Sequence, residues 1–348
     1  MQKRVRVLIV DDSKTARELI KRSLLKYPDL EVIGEAANPI EARDIIVQDQ
    51  PDVITLDVEM PGMNGLQFLE KIMRLRPIPV VMVSSLTAQG ANVAIKALQM
   101  GAFECFPKKT SGGAGEAFAG LGRILLEAAS SHPGHRGGGI KTRKPADDRP
   151  HAHVTGVWKT LFDVIAIGSS TGGVEAVEEV LKGFPAGSPP VVICQHMPPL
   201  FTASFASRLD SLIPHLSIAE AHDREVLAPG MVRIAPGGER HVTVEGGPQF
   251  VMTRLVAAPP VGGHCPSVDV LFSSVARHVG RNALGIILTG MGRDGAQGLL
   301  EMREHGAQTI AQDRASSVVY GMPRVATEIG AAGRTAPLKE IARVAMHL

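Results

Sequence analysis

The chain has 348 residues, which exceeds one ordinary domain and fits two of about 120 to 190 residues each. Hydrophobic residues make up 44% and charged residues 21%, enough for buried cores, and a formal net charge of +2 gives no basic bias towards nucleic acid. No apolar stretch approaches the ~18 residues that span a bilayer, which argues against direct membrane insertion. The opening Met-Gln-Lys-Arg-Val-Arg runs straight into a strand pattern and not into a signal-peptide core. Cys105, Cys194 and Cys265 stand far apart and form no CxxC unit, so reduced thiols and a cytoplasmic protein are expected.

Residues 5–10 form a short apolar run suited to a buried strand, and residues 13–26 repeat apolar positions at helical spacing. Further apolar runs lie at 31–37, 53–56, 80–83 and 103–106, with helical stretches between them at 40–48, 66–74 and 91–100. Five strands alternating with helices predict a doubly wound parallel sheet covered on both faces. Ligands in such sheets bind outside the carboxyl ends of the strands. Residues 130–150 then cluster Gly, Pro and basic residues without an apolar period, and a flexible, solvated linker is expected. His132, His135, His151 and His153 near it are unevenly spaced and lack Cys or Asp partners, which argues against a dedicated metal site. From Asp163 a second α/β pattern starts. Apolar runs at 164–167, 191–194 and 284–288 suit buried parallel strands, and helices are expected at 174–182, 201–212, 268–278 and 296–305. Strands at 231–235, 242–245 and 249–253, separated by Gly-rich turns, suggest an antiparallel extension, and a closing helix is expected at 338–346.

In the first half, Asp11 and Asp12 follow the first strand and Asp57 follows the third, so three carboxylates should gather at neighbouring strand ends. Such a cluster repels itself unless a hard cation joins it, and Mg²⁺ with oxygen ligands suits it. Ser84 ends the fourth strand with a hydroxyl and Lys108 follows the fifth with an ammonium. A carboxylate nucleophile near Mg²⁺, a hydroxyl and a cation can accept a phosphoryl group. Taken singly, Asp11 or Asp12 could equally cap the first helix and Asp57 could sit in a polar turn. All five positions falling at successive strand ends outweigh that.

Val-Asp-Asp-Ser at 10–13, Leu-Asp-Val-Glu-Met-Pro-Gly-Met-Asn-Gly at 56–65 and Val-Met-Val-Ser-Ser at 81–85 make residues 4–125 resemble two-component receiver domains. The resemblance implies a flavodoxin-like receiver fold in which Asp57 is the phosphoacceptor and Asp11, Asp12 and Asp57 bind Mg²⁺. It also implies Ser84 as the switch hydroxyl and Lys108 as the phosphate-pairing cation. Receivers usually show Lys-Pro here, whereas this chain has Pro107-Lys108-Lys109, which leaves Lys109 as an alternative to Lys108.

The second half opens with Val-Ile-Ala-Ile-Gly-Ser-Ser-Thr-Gly-Gly-Val-Glu at 164–175, a strand, a sharp Gly-rich turn and a helix. A serine in such a turn projects its hydroxyl at the sheet edge beside helix N-terminal N–H groups, which can stabilise an oxyanion or hold a phosphate. The stretch matches neither GxGxxG nor GxxxxGK[ST], and it lacks the GxSxG elbow. His196 follows the apolar run at 191–194, and Asp294 lies in a Gly-rich turn after the run at 284–288. Serine, histidine and aspartate thus fall at carboxyl strand ends of one sheet, an arrangement that permits hydroxyl attack, imidazole proton transfer and carboxylate orientation of the ring. Asp294 as a helix cap and His196 as a packed loop residue are the bland alternatives. They belong to a rival reading, a receiver joined to a non-enzymatic binding module. A DNA-binding regulator is weaker still, since no helix-turn-helix or basic recognition stretch is present.

Gly-Ser-Ser-Thr-Gly-Gly, Gln-His-Met-Pro, Leu-Thr-Gly-Met-Gly-Arg-Asp-Gly and Ala-Pro-Gly-Gly-Glu-Arg-His at 235–241 resemble the chemotaxis protein-glutamate methylesterase (CheB) family over residues 160–346. Matched by position, the resemblance implies that Ser170 is the nucleophile, with Ser169 its competitor, His196 the general base and acid, and Asp294 its orienting carboxylate. It implies oxyanion stabilisation near Thr171 and Met291. Cys194 is expected in the core. Cys265, beside His264, is a rival nucleophile without an evident third partner, and His241 either shapes the site rim or packs there. The implied activity is hydrolysis of glutamyl γ-methyl esters on methyl-accepting chemoreceptors, with deamidation of receptor glutamines by the same chemistry. A histidine kinase would phosphorylate the receiver, Mg²⁺ would serve that step, and the esterase would need no cofactor. The expected layout is a receiver at 1–125, a linker at 126–158 and an α/β, mostly parallel-sheet hydrolase domain at 159–348.

Overall fold

The computed structural model describes residues 4–60, 62–85, 87–108, 118–130, 162–247 and 250–348. The first part alternates β1 (Val5–Val10), α1 (Lys14–Leu24), β2 (Leu30–Ala36), α2 (Pro39–Asp49), β3 (Val53–Asp57), α3 (Gly65–Leu75), β4 (Val80–Ser85), α4 (Ala88–Gln99), β5 (Glu104–Lys108) and α5 (Leu121–Ser130). All strand pairs are parallel and the order is β2-β1-β3-β4-β5, the flavodoxin-like winding. The reversal point lies between β1 and β3, so their carboxyl ends, bearing Asp11, Asp12 and Asp57, border the crevice. Leu8, Val10, Ile54, Leu56 and Met82 pack on one face of the sheet, and Val7, Ile9, Val53, Val81 and Val83 on the other. That is the two-sided burial a continuous apolar strand requires. Ser13, not Asp11 or Asp12, caps α1: its hydroxyl accepts from the Ala16 N–H. The two aspartates are therefore not used up as helix caps.

Helix α5 runs to Ser130, past the boundary expected at 125, because Leu121, Leu125 and Ala128 fill the core beside Ile20 and Leu24 of α1. The start of the expected linker is thus packed helix. Residues 131–158 of that linker, with His132, His135, His151 and His153, lie outside the described residues.

The second part continues with β6 (Val164–Ser169), α6 (Gly173–Lys182), β7 (Val191–Gln195), α7 (Phe201–Leu212), β8 (Ser217–Glu220), β9 (Glu225–Val226), β10 (Met231–Ile234), β11 (Arg240–Gly247), β12 (Phe250–Ala257) and α8 (Val268–His278). It closes with β13 (Ala283–Ile287), α9 (Ala296–Glu304), β14 (Gln308–Gln312), α10 (Met322–Glu328), β15 (Arg334–Ala336) and α11 (Leu338–Ala345). A seven-stranded, all-parallel sheet runs β15-β14-β13-β6-β7-β10-β8, and a three-stranded antiparallel sheet, β11-β12-β9, forms the extension. The chain leaves β6 towards β7 and later returns to β13 on the other side of β6. The crevice of this sheet therefore opens at the carboxyl ends of β6, β7 and β13.

The first domain covers that crevice. Ile95 of α4 joins the hydrophobic core of the second domain, while Phe201 and Met197 pack against the core of the first. Gln99 donates to Glu178 at 3.3 Å, and Val318 and Val319 pack against the cluster that holds Phe106 and Phe118. Among the described residues no helix is long and apolar enough to cross a membrane.

Candidate functional site

In the first domain, ligand oxygens of Asp11, Asp12 and Asp57 lie within 4.8 Å of one another. Asp11 and Asp57 are buried and Asp12 is exposed. Such a set of hard carboxylate oxygens, open on one side, fits Mg²⁺. Asp57 ends β3 opposite Val83, so Ser84 stands one residue beyond it on β4, fully buried, and Lys108 lies opposite Ser85 at the end of β5. Lys108 Nζ reaches Asp11 Oδ2 at 2.9 Å and Asp57 Oδ2 at 3.0 Å. Burial raises the Asp57 proton affinity and the Asp11 charge adds to it, against the pull of Lys108. Lys108 is itself held protonated by the two carboxylates in spite of burial, which alone would lower it. Lys109 lies outside the described residues. A cavity of about 630 Å³ opens over Asp12, Asp57 and Lys108, ample for a phosphoryl group. Gly65 is required behind it, because a Cβ there would sit 2.0 Å from the Asp57 carbonyl oxygen.

In the second domain, the ends of β6 and β7 are tied together: the His196 N–H donates to the Ser169 carbonyl at 3.1 Å. The two adjacent serines are thereby distinguished. Ser169 is buried and its hydroxyl donates to Gln195 Oε1 at 2.6 Å. Ser170 is half-buried, its backbone is pinned by Gln195 Nε2 at 2.8 Å and by its own N–H to Thr289 at 3.0 Å, and its hydroxyl bonds to nothing among the described residues. Neither the Thr171 nor the Met291 backbone N–H has an acceptor among the described residues.

His196 Nε2 and Asp294 Oδ2 lie 2.8 Å apart. A hydrogen bond to a carboxylate needs hydrogen on Nε2, which leaves Nδ1 as the acceptor, and Nδ1 is buried without a partner. Asp294 also accepts from the Val268 N–H at 2.7 Å, the Asp269 N–H at 3.1 Å and the Ser267 hydroxyl at 2.8 Å. These donors include the first N–H groups of α8, where a helix favours an anion. Burial pushes the Asp294 carboxyl up, but the His196 bond and charge, with the two N–H groups, outweigh it and hold the group well below the usual carboxylate range. Neighbouring Asp269 is pushed up to about 6, by burial first and by the charge of Asp294.

The fold brings further partners to the site. His264 stacks on His196 with ring centroids 3.9 Å apart and planes within 4°, and burial followed by the His196 charge lowers it to about 4. Gln195 and Ser267 orient the serine turn and Asp294. His241 packs: it is buried, bonds to the Pro259 carbonyl at 3.1 Å, and accepts from the Ser267 N–H at 3.1 Å. Cys194 is buried, with its thiol pushed well up by burial. Burial also raises Cys265, followed by the charge of Glu239, so neither is a ready thiolate.

The family model for CheB methylesterase matches residues 165–345, and that for the response regulator receiver domain matches residues 7–114. The chain belongs to the CheB methylesterase family. It is 51% identical to a "Protein-glutamate methylesterase/protein-glutamine glutaminase" of Agrobacterium fabrum, over 99% of this chain and 96% of that protein. It is also 51% identical to the "Protein-glutamate methylesterase/protein-glutamine glutaminase 1" of Caulobacter vibrioides, over 99% of this chain and 98% of that one. The crystal structure of the Thermotoga maritima CheB methylesterase catalytic domain superposes with a TM-score of 0.51 at 35% identity, covering 53% of this chain and 98% of that one. As a CheB methylesterase this chain is a hydrolase with an N-terminal receiver domain, and its α/β architecture agrees with the expected fold class.

Proposed function

We propose that the chain hydrolyses glutamyl γ-methyl esters on methyl-accepting chemoreceptors in the cytoplasm, and deamidates receptor glutamines, as the adaptation enzyme of bacterial chemotaxis. The observation that carries this reading is the His196–Asp294 pair, which leaves Nδ1 buried without a partner while the Ser170 hydroxyl, at the end of the neighbouring strand, bonds to nothing among the described residues. Ser170 attacks the ester carbonyl while His196 takes its proton at Nδ1. The N–H groups of Thr171 and Met291 receive the oxyanion. His196 then protonates the departing methoxide, and methanol leaves. Water, deprotonated by His196, cleaves the glutamyl-enzyme, His196 returns the proton to the departing Ser170 oxygen, and the glutamyl carboxylate is restored. Asp294 stays ionised and steadies the imidazolium.

In the receiver, a histidine kinase or a small phosphodonor transfers its phosphoryl group to Asp57. Asp11, Asp12 and Asp57 would hold Mg²⁺, which would supply charge neutralisation at the phosphoryl oxygens. Lys108 and Ser84 pair with the new phosphoryl oxygens, and the carboxylates of Asp11 and Asp57 no longer share the ammonium in the same way. The covering of the catalytic crevice by the receiver supports control by occlusion. β5 carries Lys108 at one end and Glu104, which touches the catalytic domain, at the other, about 13 Å away. The test is methanol release from methylated receptor with and without acetyl phosphate. A coupling of 1–3 kcal/mol would raise the rate about 5- to 150-fold. EDTA or Asp57→Asn should abolish the stimulation and leave basal release intact; loss of basal release with EDTA would contradict a metal-free esterase.

Gly290 lies against the nucleophile, since a Cβ there would meet Ser170 Cβ at 2.8 Å and its backbone nitrogen at 3.0 Å. Gly290→Ala should displace Ser170 and slow its labelling by a fluorophosphonate about 10²-fold. Labelling at the wild-type rate would mean that Ser170 does not depend on this contact.

A further inference from the structure

Glu104 opens β5 on the face of the receiver that covers the catalytic strand ends. Its Oε2 accepts from the Thr171 hydroxyl at 2.8 Å, and its Oε1 accepts from the Cys105 N–H at 3.1 Å. Thr171 directly follows Ser170, and its hydroxyl donates to nothing else among the described residues. No Lys or Arg among the described residues pairs with Glu104, so this is not a structural ion pair between domains. Burial raises the proton affinity of the Glu104 carboxyl, while Thr171, Cys105 and the nearby His196 work against that rise. A receiver side chain therefore places a γ-carboxyl on the hydroxyl of the residue that follows the nucleophile, within the field of the base, on a donor that the second domain offers to nothing else.

We infer that Glu104 is a tethered product. Its γ-carboxyl, the group that hydrolysis leaves on a substrate glutamyl, occupies the site from which the Thr171 hydroxyl recognises the substrate. The inference rests on the proposed glutamyl esterase activity of Ser170 and adds the Thr171 hydroxyl, beside the Thr171 and Met291 N–H groups, as a side-chain donor to the substrate glutamyl. Two methylenes separate the Glu104 carboxyl from its backbone, as in a substrate glutamyl, so reach and chemistry agree. Occlusion then competes with substrate through a specific hydrogen bond, beyond the bulk of the covering domain.

The test uses the full unphosphorylated chain and methanol release against methylated-receptor concentration. Glu104→Ala should lower the apparent KM about tenfold with kcat nearly unchanged, as expected for loss of one charge-assisted hydrogen bond. Glu104→Met keeps the bulk but offers Thr171 only a weak, uncharged thioether acceptor, and should behave like Glu104→Ala. Glu104→Gln keeps an acceptor and should fall between these variants and wild type. Demethylated receptor should inhibit Glu104→Ala at lower concentration than it inhibits wild type. Glu104→Met with the wild-type KM would reduce Glu104 to a steric plug and overturn the inference, as would an unchanged KM in Glu104→Ala. Wild type treated with acetyl phosphate is the reference. If it shows no Ser170-dependent release, the esterase reading falls and takes this inference with it. If it does, a failed Glu104 series condemns the inference alone.

Discussion

Ser170→Ala is expected to reduce methanol release from methylated receptor about 10⁴-fold or more, the loss that follows removal of a nucleophile that works as a unit with its base. Thermal stability should hardly change, because the Ser170 hydroxyl is half-exposed and bonds to nothing among the described residues. Ser169→Ala should do the opposite. It leaves the nucleophile in place but strips Gln195 Oε1 of a buried donor at 2.6 Å, a cost of about 1–3 kcal/mol. For a domain of this size that is a fall of roughly 2–4 °C in Tm per kcal/mol. Gln195 also holds the Ser170 carbonyl, so a modest loss of rate should accompany the loss of stability. Melting curves and release rates on both variants separate the serines. If Ser169→Ala silences the enzyme while Ser170→Ala keeps near-normal turnover, the nucleophile has been misassigned.

What was legible in the sequence follows from where each side chain sits. Ser170, His196 and Asp294 each follow an apolar run, and in a parallel sheet all such positions share one edge. Asp11, Asp12, Asp57, Ser84 and Lys108 were readable for the same reason. Gln195 carries a signal of its own: a polar residue closing an apolar strand, directly before a histidine, has to find buried partners. Ser267 and His264 come from the segment leading into α8, and only the tertiary fold brings them to Asp294 and His196. Glu104 lies in the other domain, 67 residues from Thr171, and no local pattern marks it. Among the elements, β8 and β15 are short, with 4 and 3 residues, and gain their identity from pairing with β10 and β14. Helix α5 showed helical spacing at Leu121, Leu125 and Ala128, yet it borders a Gly- and Ser-rich stretch whose composition masked it.

Asp294→Asn tests the other half of the catalytic pair, and the geometry makes it severe. Four donors converge on the two carboxylate oxygens: His196 Nε2 and the Val268 N–H on Oδ2, the Ser267 hydroxyl and the Asp269 N–H on Oδ1. An amide has one oxygen, so in either orientation its NH₂ faces an N–H donor that cannot turn away. If the NH₂ faces His196, the ring must present a lone pair at Nε2 and carry its hydrogen on Nδ1, which removes the base. We expect a drop in kcat of about 10⁴-fold, the size seen when a triad carboxylate is amidated elsewhere. Stability should fall by about 1–3 kcal/mol for the unmatched buried donor, partly offset because Asp269 loses a repelling neighbour. The pH dependence gives a second check. The folded-state pKa of Asp294 is depressed, so its contribution is complete above the unfolded value near ~4 and disappears as pH falls through the lower folded value. The gap in unfolding free energy between wild type and variant should therefore be constant through neutral pH and narrow below about pH 4. A gap that persists undiminished into strong acid would mean that the variant loses stability by packing alone and that Asp294 is not held as a carboxylate.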